Sequence, residues 1–316
     1  MTKVLLIGGG GFIGARLALR CKSAGFSVRV ADIQVPSGEQ VLADGIEYVV
    51  GDFNDNADLD RMLDGVDIVV HLVHRAMLLG LNSSMLPEIE RNVEPAIRLF
   101  DRCLDHPRAR LLFVSSGGTV YGDPDEKSPI AEQAALRPIS VYGTSKSMIE
   151  KVLGLYVAQR GLQAMVVRPG NAYGPGQLPF KGQGLIPTVM ASALQGKPVT
   201  IYGDGTAVRD YVHVDDIAQG IVAAIQCGSN GEAYNIGTGR GVSINALVND
   251  FIRPVMSAQG LDIELRYVES RGVDVGYNVL DTTKLSRECG FVAQMRLEDG
   301  IADTWSWIQK NYAGVE

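Results

Sequence analysis

The sequence predicts an α/β fold, in which a doubly wound parallel sheet is followed by a smaller C-terminal α/β domain. Short apolar runs such as Val4–Ile7 and Leu111–Val114 alternate with longer helix-like stretches. Continuous apolar runs of this length are typical of parallel strands whose two faces are both covered by helices. A composition of 46% hydrophobic and 21% charged residues is that of an ordinary globular protein.

The first half of the chain supplies the predicted sheet. Strands are expected at Val4–Ile7, Ser27–Ala31, Glu47–Val50, Ile68–Val73 and Leu111–Val114, with another centred on Val166–Val167. Helices are expected near Asp58–Leu63, Pro87–Leu104 and Val141–Gln159. Pro95 should kink or restart the second of these helices, because proline has no N–H to donate. Right-handed crossovers then place helices on both faces of the sheet.

A loop-rich stretch rich in Gly and Pro, residues 174–187, suggests a domain boundary. We place the first domain at residues 1–171 and the second at 172–316, with segments near 209–237 returning to the first. The second domain should contain a helix near Thr188–Leu194, a strand near Val199–Tyr202 and helices near Asp215–Gln226 and Leu297–Lys310. The last helix carries Leu297, Ile301, Trp305 and Ile308 as a core-facing stripe.

Charge and cysteine content exclude several classes of protein. The net charge of −7 gives no basic excess for nucleic acid or an acidic membrane. None of the four cysteines, Cys21, Cys103, Cys227 and Cys289, forms a C-x-x-C pair, so we expect no metal site. The apolar run after Met1 is too short for a signal peptide, and no stretch is long enough to span a membrane. A cytoplasmic protein is expected.

The glycine run Gly8–Gly11, with Gly14, lies between the first strand and the first helix. Glycine permits a tight turn and lets a pyrophosphate approach the free N–H groups at the helix N-terminus. The run matches both G-x-G-x-x-G and G-x-x-G-x-x-G, and its placement predicts a dinucleotide site. The alternative is a flexible glycine loop.

Asp32 closes the second strand, eighteen residues after Gly14. A carboxylate there accepts hydrogen bonds from both ribose hydroxyls of adenosine and repels a 2′-phosphate, which favours NAD over NADP. The alternative is a surface aspartate in a turn. Asp52 and Phe53 close the third strand and are placed to bracket the adenine.

Tyr142 and Lys146 form a Y-x-x-x-K pair on one face of a predicted helix. A lysine charge, together with the positive nicotinamide ring, should favour the phenolate and lower the pKa of Tyr142 from its ordinary value near ~10. The tyrosine is therefore a candidate general base for a sugar or alcohol hydroxyl.

These motifs together resemble the extended short-chain dehydrogenase/reductases of the nucleotide-sugar epimerase and dehydratase type, most closely the UDP-glucose/UDP-galactose 4-epimerases. The resemblance runs nearly end to end. It is carried by the glycine loop, His71-Leu72-Val73, Asn92-Val93, Ser115-Ser116, Val120-Tyr121-Gly122, Tyr142 with Lys146, the segment 168–176, and in the second half by residues 202–205, 209–214 and 234–237.

The resemblance implies a Rossmann-like first domain that binds NAD and a C-terminal domain that binds a nucleotide sugar. The substrates of the resembling epimerases are UDP-linked, so a UDP-linked sugar is implied here. The implied cofactor-binding residues are Gly8, Gly11, Phe12, Ile13, Gly14, Asp32, Asp52, Phe53, Leu72, Val73, Asn92, Ser115, Tyr142 and Lys146. The implied substrate-binding residues are Arg209 and Arg271 on the diphosphate, Asp274 on the nucleoside ribose and Asn171 on the sugar nucleotide. A homodimer packed through the helices near Pro87–Leu104 and Val141–Gln159 is also implied.

Two departures from the family pattern concern the chemistry. Resembling epimerases carry a Ser or Thr where this chain has Gly117, so Ser116 and Thr119 are both candidates for the catalytic hydroxyl. Resembling 4,6-dehydratases carry Thr-Asp-Glu there, and the lack of a carboxylate disfavours dehydration. His74 replaces a small residue and is either an acid or base near the nicotinamide or a packing residue.

The activity expected from the sequence is NAD-dependent epimerisation of a nucleotide sugar at C4, through a transient 4-keto intermediate. A nucleotide-sugar reductase or dehydrogenase, and a non-catalytic NAD-binding module, are the alternatives. In resembling epimerases the residue four positions after the ribose-binding aspartate borders the sugar pocket, and here it is Asn278. A small residue there predicts that N-acetylated sugars are accepted, unless Asn278 only lines a turn.

The cofactor preference can be tested directly. Because the Asp32 carboxylate repels a 2′-phosphate, we expect the protein to bind NAD more tightly than NADP in a fluorescence titration. Denaturing the purified protein should also release NAD. Tighter binding of NADP would refute the role given to Asp32.

Overall fold

The computed structural model describes residues 1–34, 44–75 and 85–312. Its strands are β1 (Lys3–Ile7), β2 (Ser27–Asp32), β3 (Ile46–Val50), β4 (Ile68–His71), β5 (Arg110–Val114), β6 (Ala164–Pro169), β7 (Asn171–Tyr173), β8 (Val199–Tyr202), β9 (Val208–His213), β10 (Ala233–Ile236), β11 (Gly241–Ser243), β12 (Leu265–Val268) and β13 (Tyr277–Asn278).

The helices are α1 (Phe12–Ser23), α2 (Asn56–Leu63), α3 (Leu86–Glu88), α4 (Glu94–Asp105), α5 (Gly117–Val120), α6 (Val141–Arg160), α7 (Leu185–Leu194), α8 (Val214–Cys227), α9 (Ile244–Ala246), α10 (Arg253–Ser257), α11 (Thr283–Cys289) and α12 (Leu297–Tyr312). Within residues 1–34, 44–75 and 85–312, no helix has the length and apolar character needed to cross a membrane.

The large sheet confirms the predicted doubly wound fold. Seven of the described strands pair in parallel in the order β3-β2-β1-β4-β5-β6-β10. The chain starts at the centre and winds outward in both directions, so the strand order reverses between β1 and β4. In such sheets ligands bind at the carboxyl ends of the strands near this reversal.

Alternate residues of each central strand face opposite layers of helices. Val4 and Leu6 pack with α1, α8 and α11, whereas Leu5 and Ile7 pack with α2, α4 and α6. All four side chains are almost completely buried. Burial on both faces explains why the strands are continuous apolar runs in the sequence.

The second half of the chain builds a separate apolar core around smaller sheets. One contains β11-β9-β13, with β7 paired to β9, and the other pairs β12 with β8. In α12, Ile301, Trp305 and Ile308 are buried, while Leu297 is only partly buried. Strand β10 joins the large sheet, whereas β9 lies in the small one, so the segment 209–237 is divided between the two.

Two prolines follow widened helical turns. The stretch expected as a helix near Pro87–Leu104 runs through α3, a π-helical turn at Ile89–Val93 and α4, in which Pro95 is the second residue. The same order recurs where the π turn Leu247–Ile252 precedes Pro254. A proline cannot donate to the carbonyl four residues earlier and its ring crowds that carbonyl, so a widened turn lets the helix continue.

A buried cation links the sheet to helix α6. Arg168 on β6 is 6% exposed and forms a forked ion pair with Glu150 of α6, with Nη2 2.6 Å from Oε2. Its Nη1 also donates to the Tyr121 hydroxyl at 2.8 Å and to the Glu132 carbonyl at 2.9 Å. Burial lowers the pKa of Arg168, but Glu150 outweighs this and holds that pKa above its usual range.

Breaking this pair should destabilise the protein strongly. Replacing one partner of a buried ion pair typically costs about 3–5 kcal/mol, because the other charge stays buried. We expect Arg168→Leu to lower the free energy of unfolding by this amount in denaturant titrations followed by circular dichroism. The double variant Arg168→Leu/Glu150→Leu should recover much of the loss, since neither charge remains.

Arg160→Leu is the matched control, because its ion pair with Asp101 lies in solvent. It should change the unfolding midpoint little. A double variant no more stable than Arg168→Leu would show that the lost packing, and not the stranded carboxylate, causes the destabilisation.

Candidate active site

A cleft lies at the carboxyl ends of the large sheet, between the two halves of the chain. Its inner part is a cavity of about 380 Å³ that adjoins a second cavity of about 710 Å³. The inner cavity collects side chains from separate elements: Phe12, Ile13, Ser115, Ser116, Thr119, Tyr142, Asn171, Gln177, Gln183, Arg209 and Asp274. Asn171, Gln177, Arg209 and Asp274 line both cavities, so the cleft is continuous.

The glycine loop is shaped to receive a dinucleotide. Gly8 has φ +82°, and a Cβ there would lie 2.7 Å from Val73 Cγ2. A Cβ on Gly14 would lie 2.6 Å from the Gly8 carbonyl oxygen. A Cβ on Gly11, at the start of α1, meets only the Gly8 oxygen at 3.4 Å and otherwise faces open space. These glycines therefore leave room for a pyrophosphate at the helix N-terminus.

Asp32 lies at this loop. Its carboxylate accepts hydrogen bonds from the N–H groups of Gly10 (3.1 Å) and Ile33 (2.8 Å). This fixes the carboxylate beside the loop, where its remaining lone pairs can accept from a ribose diol. The residues present thus fit NAD.

Other residues expected at the adenosine end are held by local contacts. Asp52 pairs with Arg75, with Nη2 3.2 Å from Oδ1. Phe53 is 4% exposed, and its ring lies 5.5 Å from that of His71. Asn92 Oδ1 accepts from the Arg75 N–H at 2.8 Å. Asn92 therefore fixes the backbone that follows Leu72 and Val73. These two residues were expected within the fourth strand, but β4 ends at His71, so they lie just beyond it.

Tyr142 lies in the first turn of α6 and faces the inner cavity. Its side chain hydrogen-bonds to that of Ser116, which follows β5. Burial raises the pKa of Tyr142 to about 12, the Ser116 hydrogen bond lowers it, and the Glu88 charge raises it. Within the protein alone, burial thus outweighs the favourable contacts, whereas the lowered value expected from the sequence includes the charge of the nicotinamide ring.

Lys146 is buried one turn further along α6. Its Nζ donates to the Val114 carbonyl at 2.8 Å and lies 5.9 Å from the centre of the Tyr142 ring. Burial lowers the pKa of Lys146 to about 7, against the opposing charges of Glu150 and Glu88. Lys146 is thus near Tyr142 without contacting its hydroxyl, and any lowering of the tyrosine pKa has to come mainly from a bound cation such as the nicotinamide ring.

The two candidate hydroxyls have different surroundings. Ser116 contacts Tyr142, whereas Thr119 Oγ1 is buried without a hydrogen-bond partner in the described part of the chain. Gly117 lies between them in sequence, and a Cβ there would lie 2.7 Å from Leu280 Cδ1 and 2.8 Å from the Arg168 oxygen. Packing therefore excludes a side chain at 117 without movement of its neighbours.

The expected substrate residues line the outer part of the cleft. Arg209 on β9 is partly buried, and burial lowers its pKa below the usual range. Arg271 and Asp274 form an ion pair with Nη2 2.8 Å from Oδ1, and the Arg271 guanidinium lies 4.3 Å from the centre of the Tyr202 ring. Asn171 Oδ1 is buried and has no partner among the described residues.

The structure corrects the position expected for Asn278. This residue is fully buried on β13, and its Nδ2 donates to the Gly117 carbonyl at 2.8 Å. It is absent from the described residues that line either cavity. The side chain is therefore committed to the backbone of α5 and does not enter the cleft.

Two features of the site were not predicted from the sequence. Gln177 and Gln183, from the loop before α7, line both cavities. The second feature is Glu88, which lies beside His74 and acts on the pKa of Tyr142. Neither feature belongs to a motif that spacing alone reveals. Among the residues that the structure describes, no cluster of His, Cys, Asp or Glu is suited to hold a metal ion.

Comparisons with known proteins agree with this geometry. A sequence model of the NAD dependent epimerase/dehydratase family matches residues 4–237. A putative UDP-glucose 4-epimerase of Methanocaldococcus jannaschii is 29% identical over 98% of this chain and 99% of its own length. A dTDP-glucose 4,6-dehydratase of Streptomyces griseus is 36% identical over 79% of this chain and 74% of its own length.

The fold is also shared with solved structures. The crystal structure of the Thermus thermophilus UDP-glucose 4-epimerase in complex with NAD superimposes with a TM-score of 0.86, at 28% identity, over 98% of this chain and 100% of that one. The family match covers well over half of the chain, and the glycine loop and Asp32 fit the family's cofactor. The chain is therefore an enzyme of the NAD-dependent epimerase/dehydratase family, with NAD as its cofactor.

Proposed function

We propose that this enzyme epimerises a nucleotide sugar at C4, through a transient 4-keto intermediate, and that the substrate is a UDP-hexose or a UDP-N-acetylhexosamine. The observation that carries the proposal is the Tyr142–Ser116 contact at the inner cavity of the cleft. The similarity to proteins named UDP-glucose 4-epimerase over nearly the whole chain supports the nucleotide and the reaction.

The proposed chemistry divides the work among three side chains. Bound NAD supplies a hydride acceptor and donor for C4. Tyr142 removes the proton from the C4 hydroxyl and returns it after the sugar has presented its other face. Ser116 holds the phenol oxygen in place by sharing its hydrogen bond. Lys146 contributes positive charge near the nicotinamide ribose.

Dehydration is the second candidate, because the 36% identical relative is a 4,6-dehydratase. Elimination of water needs an acid to protonate the leaving hydroxyl. Asp274 is the only carboxylate among the described residues that line the inner cavity, and it is paired with Arg271. This arrangement favours epimerisation, in which one tyrosine both removes and returns the proton.

The outer cavity accounts for the nucleotide in this proposal. Arg209 and Arg271 supply two guanidinium groups, whose forked donors match the oxygens of a diphosphate. On substrate binding, the Asp274 carboxylate would release Arg271 and accept hydrogen bonds from the hydroxyls of the nucleoside ribose. The unpartnered oxygen of Asn171 points to a polar contact with the sugar nucleotide.

A homodimer packed through α4 and α6 is part of the proposal. On α6, Leu155 is 55% exposed, and a Cβ on the adjacent Gly154 would meet nothing within 4 Å. An exposed apolar side chain beside a glycine, which has no side chain, lets a helix of a second copy approach α6 closely.

A substrate panel tests the reaction. Incubation with UDP-glucose, UDP-galactose, their N-acetylated counterparts and dTDP-glucose should yield the C4 epimer of at least one UDP sugar, measured by chromatography and NMR, with no net NADH. Tyr142→Phe should lower kcat by about 10²–10⁴-fold, since only the general-base hydroxyl is lost.

Tyr156→Phe is the matched control for this variant, because its hydroxyl lies on the same helix but bonds Asp101 at the surface. It should retain full activity. Net NADH would instead identify a dehydrogenase, and a 4-keto-6-deoxy product would identify a dehydratase. Near-full activity of Tyr142→Phe would remove the tyrosine from the mechanism.

The choice between the two hydroxyls follows from the pKa of Tyr142. The Ser116 hydrogen bond lowers that pKa, so Ser116→Ala should raise it and move the rising limb of the kcat–pH profile to higher pH. We expect kcat to fall about 10–100-fold, since a hydrogen bond to a charged group contributes about 1.5–3 kcal/mol. Thr119→Val should leave the profile in place and act mainly on KM. The reverse pattern would assign the catalytic hydroxyl to Thr119.

A further inference from the structure

A buried cluster with no role in the proposed reaction packs against the catalytic tyrosine. The ring of His74, just after β4, meets the Tyr142 ring at 84° with centroids 4.5 Å apart. His74 Nε2 lies 3.0 Å from Glu88 Oε1, a hydrogen-bond distance without the alignment of one. The side chains of His74 and Glu88 are 8% and 2% exposed.

The carboxylate of Glu88 is tied to the helix that carries Tyr142. Ser145, fully buried on α6, places its Oγ 2.8 Å from Glu88 Oε1 and 2.9 Å from the Tyr142 carbonyl oxygen. The described part of the chain gives Glu88 no lysine or arginine within salt-bridge distance. A buried carboxylate without a cationic partner is costly, which sets Glu88 apart from an ordinary packing residue.

The charges around the tyrosine can be followed group by group. Tyr142 is faced by His74, by Glu88 of α3 and by Lys146 of its own helix. Burial and the Lys146 charge lower the pKa of His74 to about 2, so the imidazole is neutral at physiological pH. Glu88 raises the pKa of both Tyr142 and Lys146. Glu150 acts on Lys146, and His71 on His74.

We propose that Glu88 and His74 are a positioning pair for Tyr142: the His74 ring, which lies beside Glu88, forms a wall against the phenol, and the negative charge of Glu88 favours the protonated phenol. Neither residue touches the reacting atoms, so both act through the tyrosine. The inference rests on the proposed role of Tyr142 as the base. It does not depend on which nucleotide sugar is turned over.

The charge is tested with Glu88→Gln, which keeps the shape of the side chain. Removing the negative charge should lower the pKa of Tyr142 by about one unit, the size typical of a neighbouring charge. The midpoint of the tyrosinate absorbance, taken as the difference between each NAD-loaded protein and its Tyr142→Phe counterpart, should move to lower pH. The rising limb of the kcat–pH profile should move with it, while KM stays within about twofold.

Glu90→Gln, an exposed carboxylate two residues away, is the matched control and should shift neither midpoint. The absorbance reading needs no sugar substrate, so it remains informative if the proposed reaction is wrong. An unchanged Tyr142 midpoint in folded Glu88→Gln, or an equal shift in Glu90→Gln, would overturn the role of the charge.

The wall is tested independently at His74, which also covers the case in which Glu88→Gln does not fold. His74→Ala should lower kcat about tenfold or more with a smaller effect on KM, and His74→Phe should restore most of kcat, because it returns a ring to the same place. Circular dichroism and released NAD verify folding and cofactor content. Full kcat in His74→Ala, or no rescue by phenylalanine, would overturn the positioning role.

Discussion

The active site depends on the buried ion pair between Arg168 and Glu150. Burying two charges is unfavourable unless their geometry is good and their remaining donors are satisfied, and here the guanidinium reaches Glu150, Tyr121 and Glu132. The Tyr121 hydroxyl continues the network to Asn235 of β10 at 2.7 Å. Helix α6 is thereby fixed to β6, and its first two turns carry Tyr142 and Lys146. The position of these residues relative to the strand ends therefore depends on two side chains that are not among the described residues lining either cavity.

The same low-dielectric interior explains the opposite pKa shifts in the site. Burial disfavours whichever form is charged, so it raises the pKa of Tyr142 to about 12 and lowers that of Lys146 to about 7. The protein on its own therefore favours a neutral phenol. In the proposed mechanism, the positive charge of the bound nicotinamide ring offsets the effect of burial and favours the phenolate. The Ser116 hydrogen bond acts in the same direction as that charge.

The sequence predicted those parts of the structure that depend on neighbours close along the chain. The strands of the large sheet, the glycine loop and the stripe of α12 follow from local periodicity and from residues that need special backbone angles. Contacts between distant segments left no such pattern. Asn278 reaches Gly117 across 161 positions, and Glu88 of α3 meets His74, which follows β4. The burial that raises the pKa of Tyr142 left no local pattern either, because the extent of burial is a property of the assembled fold.

Asn278 and Gly117 contact each other in the packing behind the site. The Leu280 side chain and the Arg168 carbonyl lie so close to α5 that residue 117 has no room for a Cβ, and the Asn278 amide donates to the Gly117 carbonyl at the same place. The hydroxyl that resembling epimerases carry at this position therefore has no space here. Ser116, one residue earlier, contacts Tyr142 instead. The departure from the family pattern at 117 thus has a steric cause, and any variant that enlarges residue 117 must first move the Leu280 side chain or the backbone of β6 at Arg168.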